Sequence, residues 1–112
     1  MFGFQKLDLY PCAVRFLGHA STLSASAPRG YSALADQLRR AALSVLLNIA
    51  EGSGKERRDG ARYYTIAGGS ALECAAILDA FESLGFTSTE LLEEARALLE
   101  RVVSMLTKLR DV

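Results

Sequence analysis

The stretch AALSVLLNIAEGSGKERRDGARYYTIAGGSALECAAILDAF, residues 41–81, decides the fold. Its flanks, Ala41–Ala50 and Ala61–Phe81, are strongly apolar, and Ser53-Gly54-Lys55-Glu56-Arg57-Arg58-Asp59 between them is polar. Apolar residues return every three or four positions on both flanks, which is the period of an α-helix. Before the turn, Leu34, Leu38, Ala42, Val45 and Ile49 make one face, widened by Leu43, Leu46, Leu47 and Ala50. One narrow polar line interrupts it, formed by Gln37, Arg40, Ser44, Asn48 and Glu51. Gly52 and Gly54 then end the helix, as glycine commonly does. After the turn, Tyr63, Ile66, Ala67, Ser70, Cys74, Ile77, Phe81 and Leu84 form one face. Tyr64, Gly68, Ala71, Leu72, Ala75 and Leu78 form a second. A helix that is apolar on two sides must bury two sides. One fills the protomer's core, and the other is expected to meet another subunit through Gly68, Ala71, Leu72 and Ala75.

The remaining chain supplies two more helices. The first is expected over residues 8–25, with Asp8 as N-cap and Pro11 in the first turn, where its missing N–H costs nothing. Pro28-Arg29-Gly30 marks a loop. The central pair is expected over residues 32–52, with Ser32 as N-cap, and 58–84, with Gly85 as the stop. The fourth helix is expected over 88–110, opened by a Thr87–Glu90 capping box and a Phe86–Leu91 hydrophobic staple. Short connections make neighbours antiparallel, so the fold class is all-α, an up-down-up-down antiparallel four-helix bundle forming a single domain over residues 1–112. Gly60, Gly68 and Gly69 cost the third helix about 1 kcal/mol each relative to alanine. A neighbouring helix crossing close to Gly68 and Gly69 would offset that cost.

Composition narrows the function. Half of the 112 residues are hydrophobic, which supports a core and argues against disorder. Thirteen basic residues balance thirteen acidic ones, so any attraction for nucleic acid must come from a local patch. Cys12 and Cys74 are too few and too far apart for a metal site or a disulfide framework, and read as small buried residues in a reducing compartment, the alternative being a bridge between them or across subunits. The first residues lack the basic and apolar regions of a signal peptide. Tyr63–Phe81, the longest apolar run, contains Glu73 and Asp79, so no membrane span is expected and the location is read as cytoplasmic.

Catalysis finds little support, and neither an enzyme nor a cofactor is expected. His19 is the sole histidine, with no Cys, Asp or Glu at ligand spacing. Gly52-Ser53-Gly54-Lys55 imitates a phosphate loop, but Ile49 and Glu56 stand where that pattern needs glycine and Ser or Thr. Glu51 and Glu73 lack the Glu-x-x-His partners of a di-iron bundle, so a metal role is rejected. Asn48, Glu51, Ser70 and Glu73 are instead read as a polar network between the central helices; the alternative, that their line faces solvent, stays open. Arg39, Arg40, Lys55, Arg57, Arg58 and Arg62 gather around the central turn, either as a solvated surface or as a patch for nucleic-acid phosphates. No aromatic residue is expected among them.

Gln37-Leu38-Arg39-Arg40-Ala41-Ala42, Ser44, Asn48-Ile49-Ala50-Glu51-Gly52 and Ala67-Gly68-Gly69-Ser70-Ala71-Leu72-Glu73 occur in order. In order and spacing they resemble the four-helix-bundle proteins encoded in intervening sequences of bacterial large-subunit ribosomal RNA genes. The same bundle is similar to the accessory protein of diversity-generating retroelements, a pentameric barrel that binds nucleic acid and a reverse transcriptase. The resemblance implies a cytosolic bundle that forms a ring of five copies, and it implies no reaction. The partners to expect are therefore further copies of this chain, with structured RNA or DNA, or else another protein, on the ring.

Overall fold

A computed structural model describes residues 8–110. Helix α1 spans Leu9–Ala25, α2 Ser32–Ser53, α3 Arg57–Leu84 and α4 Thr89–Arg110, with a single 3-10 turn at Arg29–Tyr31. Each helix packs on two neighbours, α1 on α2 and α4, and α3 on α2 and α4, while the backbones of the diagonal pairs stay further apart. The described chain is thus the expected all-α, up-down-up-down bundle, with its most extensive contact between α2 and α3.

The helical periods converge on one core. Phe16 and Leu23 from α1, Val45 and Ile49 from α2, Leu78 and Phe81 from α3, and Val102 and Leu106 from α4 are buried. Burying side chains of this size contributes about 1.5–3 kcal/mol each. Ser24 is the one buried polar or charged side chain among the described residues, and its hydroxyl donates to the Ala35 carbonyl at 3.1 Å, tying the end of α1 to the start of α2. No buried side-chain nitrogen or oxygen among the described residues lacks a partner.

Helix ends depart from the sequence reading in instructive ways. Asp8 stands at the N-cap of α1, but its side chain makes no capping bond. Ser32 is the first residue of α2 rather than its cap, because the preceding 3-10 turn runs straight into the helix. The Thr87–Glu90 box is displaced by one residue. Ser88 Oγ accepts the Leu91 N–H at 3.2 Å, and the helix begins at Thr89. Phe86 is held by the preceding helix and by Tyr31, and both it and Leu91 pack against the core. Gly85 ends α3 with φ 71°, a left-handed conformation that favours glycine, which lets the Phe86 N–H reach the Phe81 carbonyl at 3.1 Å. The Phe86 ring then meets the Phe81 ring edge-on, with centroids 5.5 Å apart, and tilts against Tyr31 at 4.7 Å.

The close crossing of α2 and α3 is not at Gly68 and Gly69. It lies one end further, at Gly52 and Gly60. A β-carbon on Gly60 would sit 2.6 Å from the Gly52 carbonyl oxygen, and one on Gly52 would sit 2.8 Å from the Tyr64 ring. A β-carbon on Gly68 would meet only the Arg110 guanidinium, at 3.2 Å, and one on Gly69 would meet nothing within 4 Å. The glycines of α3 therefore have opposite consequences. Gly60→Ala must displace backbone, a cost of about 1–3 kcal/mol that exceeds the roughly 1 kcal/mol of helix propensity it gains. Gly69→Ala gains that propensity without a clash. Thermal melts of the two variants should move in opposite directions, Gly60→Ala down and Gly69→Ala up; a Gly60→Ala variant as stable as the parent would refute the crossing.

Candidate nucleic-acid interface

The tight crossing shapes the turn beyond it. At the end of α2 the Ser53 hydroxyl donates to the Ile49 and Ala50 carbonyls at 2.8 and 3.2 Å, and the Lys55 N–H reaches the Gly52 carbonyl at 3.2 Å. Glu56 is extended (ψ 156°), and its carbonyl accepts the Gly60 N–H at 2.7 Å as α3 begins. With Gly52 and Gly60 in backbone contact beneath, the charged residues of the turn have nowhere to go but outward. Lys55, Arg58, Asp59, Arg62 and Tyr63 line one surface hollow of about 310 Å3 at this end of the bundle.

Tyr63 organises the hollow. Its ring centroid lies 5.9 Å from Lys55 Nζ and 5.4 Å from the Arg62 guanidinium carbon. The negative ring face attracts both cations, by about 0.5–1 kcal/mol each at an exposed site, and so keeps two like charges in one neighbourhood. Lys55 also faces Glu51 at 3.7 Å, an exposed pair that contributes little. Arg58 has no carboxylate partner among the described residues, and Asp59 is the carboxylate within the lining. Sequence reasoning missed Tyr63 because helical periodicity assigns it to the core face. Tyr64, next to it, is the tyrosine that is buried, and its phenol is pushed up by burial, with the Ser53 hydrogen bond acting the other way.

The six expected basic residues do not form one patch. Arg57 opens α3, but its side chain lies outside the described residues. Arg39 donates to Asp36 at 3.0 Å on the exposed side of α2. Arg40 borders a groove with Gln37, Ser44, Ser70 and Glu73, far from the turn. From Arg40 to Ser53 is 13 residues (53 − 40), roughly 20 Å at 1.5 Å per residue. Lys55, Arg58 and Arg62 are the cations that the fold brings together.

The expected polar network is likewise divided. Ser44 and Ser70 face each other across α2 and α3 at 2.8 Å, and the Asn48 amide donates to the Ser44 carbonyl and hydroxyl at 2.8 and 3.2 Å. Glu73 accepts from Gln37 at 3.1 Å on the surface, and Glu51 turns to Lys55 instead. The line is therefore half-buried at Ser44 and Asn48 and exposed at Gln37, Arg40 and Glu51. Of the four expected interface residues, Gly68 and Ala71 are buried within the protomer, Ala75 is half-buried and Leu72 is exposed.

Other candidate chemistry resolves into structure. His19 Nδ1 lies 2.9 Å from the Arg15 carbonyl and Nε2 lies 3.2 Å from Glu94, so it joins α1 to α4. No group of three or more His, Cys, Asp or Glu among the described residues is placed to hold a metal ion. No described helix is long and apolar enough to cross a membrane.

The sequence matches the family described as 23S rRNA-intervening sequence protein over residues 5–108. The chain belongs to that family. Among curated proteins, none matches it. The family match covers α1 to α3 and all but the last two residues of α4, so the resemblance carried by the Asn48–Gly52 and Ala67–Glu73 elements extends across the bundle.

Cys12 and Cys74 are buried free thiols. Burial, reinforced by the Glu73 carboxylate, pushes the Cys74 thiol up from 9.0 to about 12. The folded state thus holds this proton more tightly than the unfolded state. Its contribution to stability is present below pH 9 and is lost as pH rises from there to about 12. At pH 8 a thiol reagent should leave both cysteines unmodified in the native protein and modify both in denaturant. Rapid native labelling of Cys74 would contradict its burial.

Proposed function

We propose that the protein is a non-enzymatic helical bundle that assembles with copies of itself into a ring and binds structured RNA or DNA through phosphates. The observation that carries this reading is the gathering of Lys55, Arg58 and Arg62 around Tyr63 in one hollow at the end of the bundle. Formal net charge is zero, so the whole-chain field attracts no polyanion, and a local cluster is what can. Three cations on one protomer make a small site. A closed ring, for which the family resemblance implies five copies, repeats the site around one rim and turns weak contacts into a multivalent one. The resemblance to the accessory protein of diversity-generating retroelements, which binds nucleic acid, supports the choice of ligand. Contacts of this kind grip the backbone and carry no base sequence directly.

A second reading is a ring that scaffolds another protein and binds no nucleic acid. The exposed Leu43, Leu47, Ile66 and Leu72 favour it, because they exceed what a solitary bundle needs to show to water.

Binding of a structured RNA measured across a salt series separates the two. The Arg58→Ala/Arg62→Ala double variant should bind more weakly and show a shallower dependence of log affinity on log salt, by about one unit of slope for each phosphate that is no longer neutralised. Unchanged affinity and slope would remove the hollow from the interface. A wild-type ring that purifies at low salt without nucleotide mass in a native mass spectrum would leave the scaffold reading.

A further inference from the structure

We infer that the hollow receives a nucleotide whose base is unpaired and stacks on the Tyr63 ring, so that the protein holds its nucleic acid at a loop, a bulge or a single-stranded end. This rests on the phosphate-binding role proposed above and adds which part of the nucleic acid enters the site. Tyr63 is half-buried, yet it belongs neither to the core nor to the apolar side chains packed against it. Among the described residues its ring meets no other ring and its hydroxyl has no hydrogen-bond partner. Its ring contacts are the two cations, Lys55 and Arg62. A large aromatic side chain that serves neither the core nor a hydrogen bond keeps its ring available to a ligand.

The charges fit a base inside the hollow and phosphates at its rim. Lys55 and Arg62 are exposed, and at 5.9 and 5.4 Å from the ring centroid they stand at the outer reach of a cation–π contact. A planar base that takes the ring face releases both cations to the phosphates on either side of it, where Arg58 already lacks a carboxylate partner among the described residues. Asp59 in the same lining would repel a phosphate placed inside. Beside a base, its carboxylate is instead an acceptor for amino and ring N–H groups.

That the nucleotide is unpaired follows from access. In a duplex both faces of a base are stacked on its neighbours, and only groove edges, sugars and phosphates meet a protein surface. An unpaired base offers its face to an aromatic side chain. The hollow, at about 310 Å3, lies at the lower end of the range for small-ligand pockets, about 300–1000 Å3, and so admits one nucleotide rather than a turn of double helix.

Two RNAs with equal numbers of phosphates test this by fluorescence anisotropy, one a hairpin with a wide loop and one a fully paired duplex. The wild type should prefer the hairpin by about tenfold, as one stacked base contributes. Tyr63→Leu should lose that preference while it binds the duplex with the parent's affinity and salt slope, and Tyr63→Phe, which keeps the ring, should retain it. The chain has no tryptophan, so Tyr63→Trp places a sole indole in the hollow. Its emission should be quenched by the hairpin and not by the duplex, and circular dichroism confirms that each variant keeps its helices. If the wild type binds both RNAs equally, if Tyr63→Leu keeps the preference, or if bound hairpin leaves the indole emission unchanged, the inference fails. The phosphate reading then stands so long as Arg58→Ala/Arg62→Ala still flattens the salt slope. A protein that binds neither RNA overturns both.

Discussion

The contact on which the molecule depends is the backbone approach of Gly52 and Gly60. With no side chain on either residue, the last turn of α2 and the first turn of α3 meet carbonyl to α-carbon, and the Tyr64 ring closes over Gly52. This fixes the register of the central pair. From there, Ser44 falls opposite Ser70 and Gln37 opposite Glu73, so the same pairing runs the length of α2. The pair then presents a common apolar side to α1 and α4, and the outer helices need only supply amphipathic faces. One constraint, set where the chain turns, thereby propagates to the opposite end of the bundle.

That constraint also explains the charged hollow. A helical hairpin with a loose turn scatters its polar residues through solvent. Here the turn is short and its base is packed backbone to backbone, so Lys55, Arg58, Arg62 and Tyr63 are forced onto one side. Holding cations together costs Coulomb energy, which the tyrosine ring and solvent screening reduce. A bound polyanion would reduce it further. The electrostatics of the site thus arise from chain geometry rather than from an excess of basic residues.

Much of this architecture is legible in the sequence because helices announce themselves by period. Leu38, Val45 and Ile49, or Leu92, Leu99 and Val102, recur at intervals that only a helix places on one side, and their burial follows. What periodicity does not contain is the relative rotation of two helices. Gly52 reads as a helix stop and Gly60 as an isolated cost, and nothing local says that they touch. The same limit separates Tyr63 from Tyr64: adjacent in sequence, they differ by about 100° around the helix, and the crossing angle decides which one is buried. It also separates Arg40 from Lys55, which a linear reading places in one basic cluster and a rigid helix holds far apart. Caps shift by single residues for a related reason, since Thr87 and Ser88 are both acceptable caps and Gly85 decides between them by where it releases the chain.

The two flanks of α3 are unlike, and the difference bears on assembly. Toward α2, small and polar residues such as Ser70 and Gly60 permit close approach and are satisfied by partners within the protomer. Toward α4, Leu72 and Ala75 border a groove that α4 does not fill, and the seam is clamped at its edge by Arg96. A hydrogen-bonded seam has no unmet demand and gains nothing from a further neighbour. An open apolar trough keeps structured water against hydrocarbon, and each apolar group that displaces it gains about 25 cal/mol per Å2 covered. The free energy available for association therefore lies on the α4 side of α3, and the hydrogen bonds that set the register lie on the other. With the two tasks divided between opposite flanks, the proposed assembly would draw on surface that folding of the protomer leaves unused.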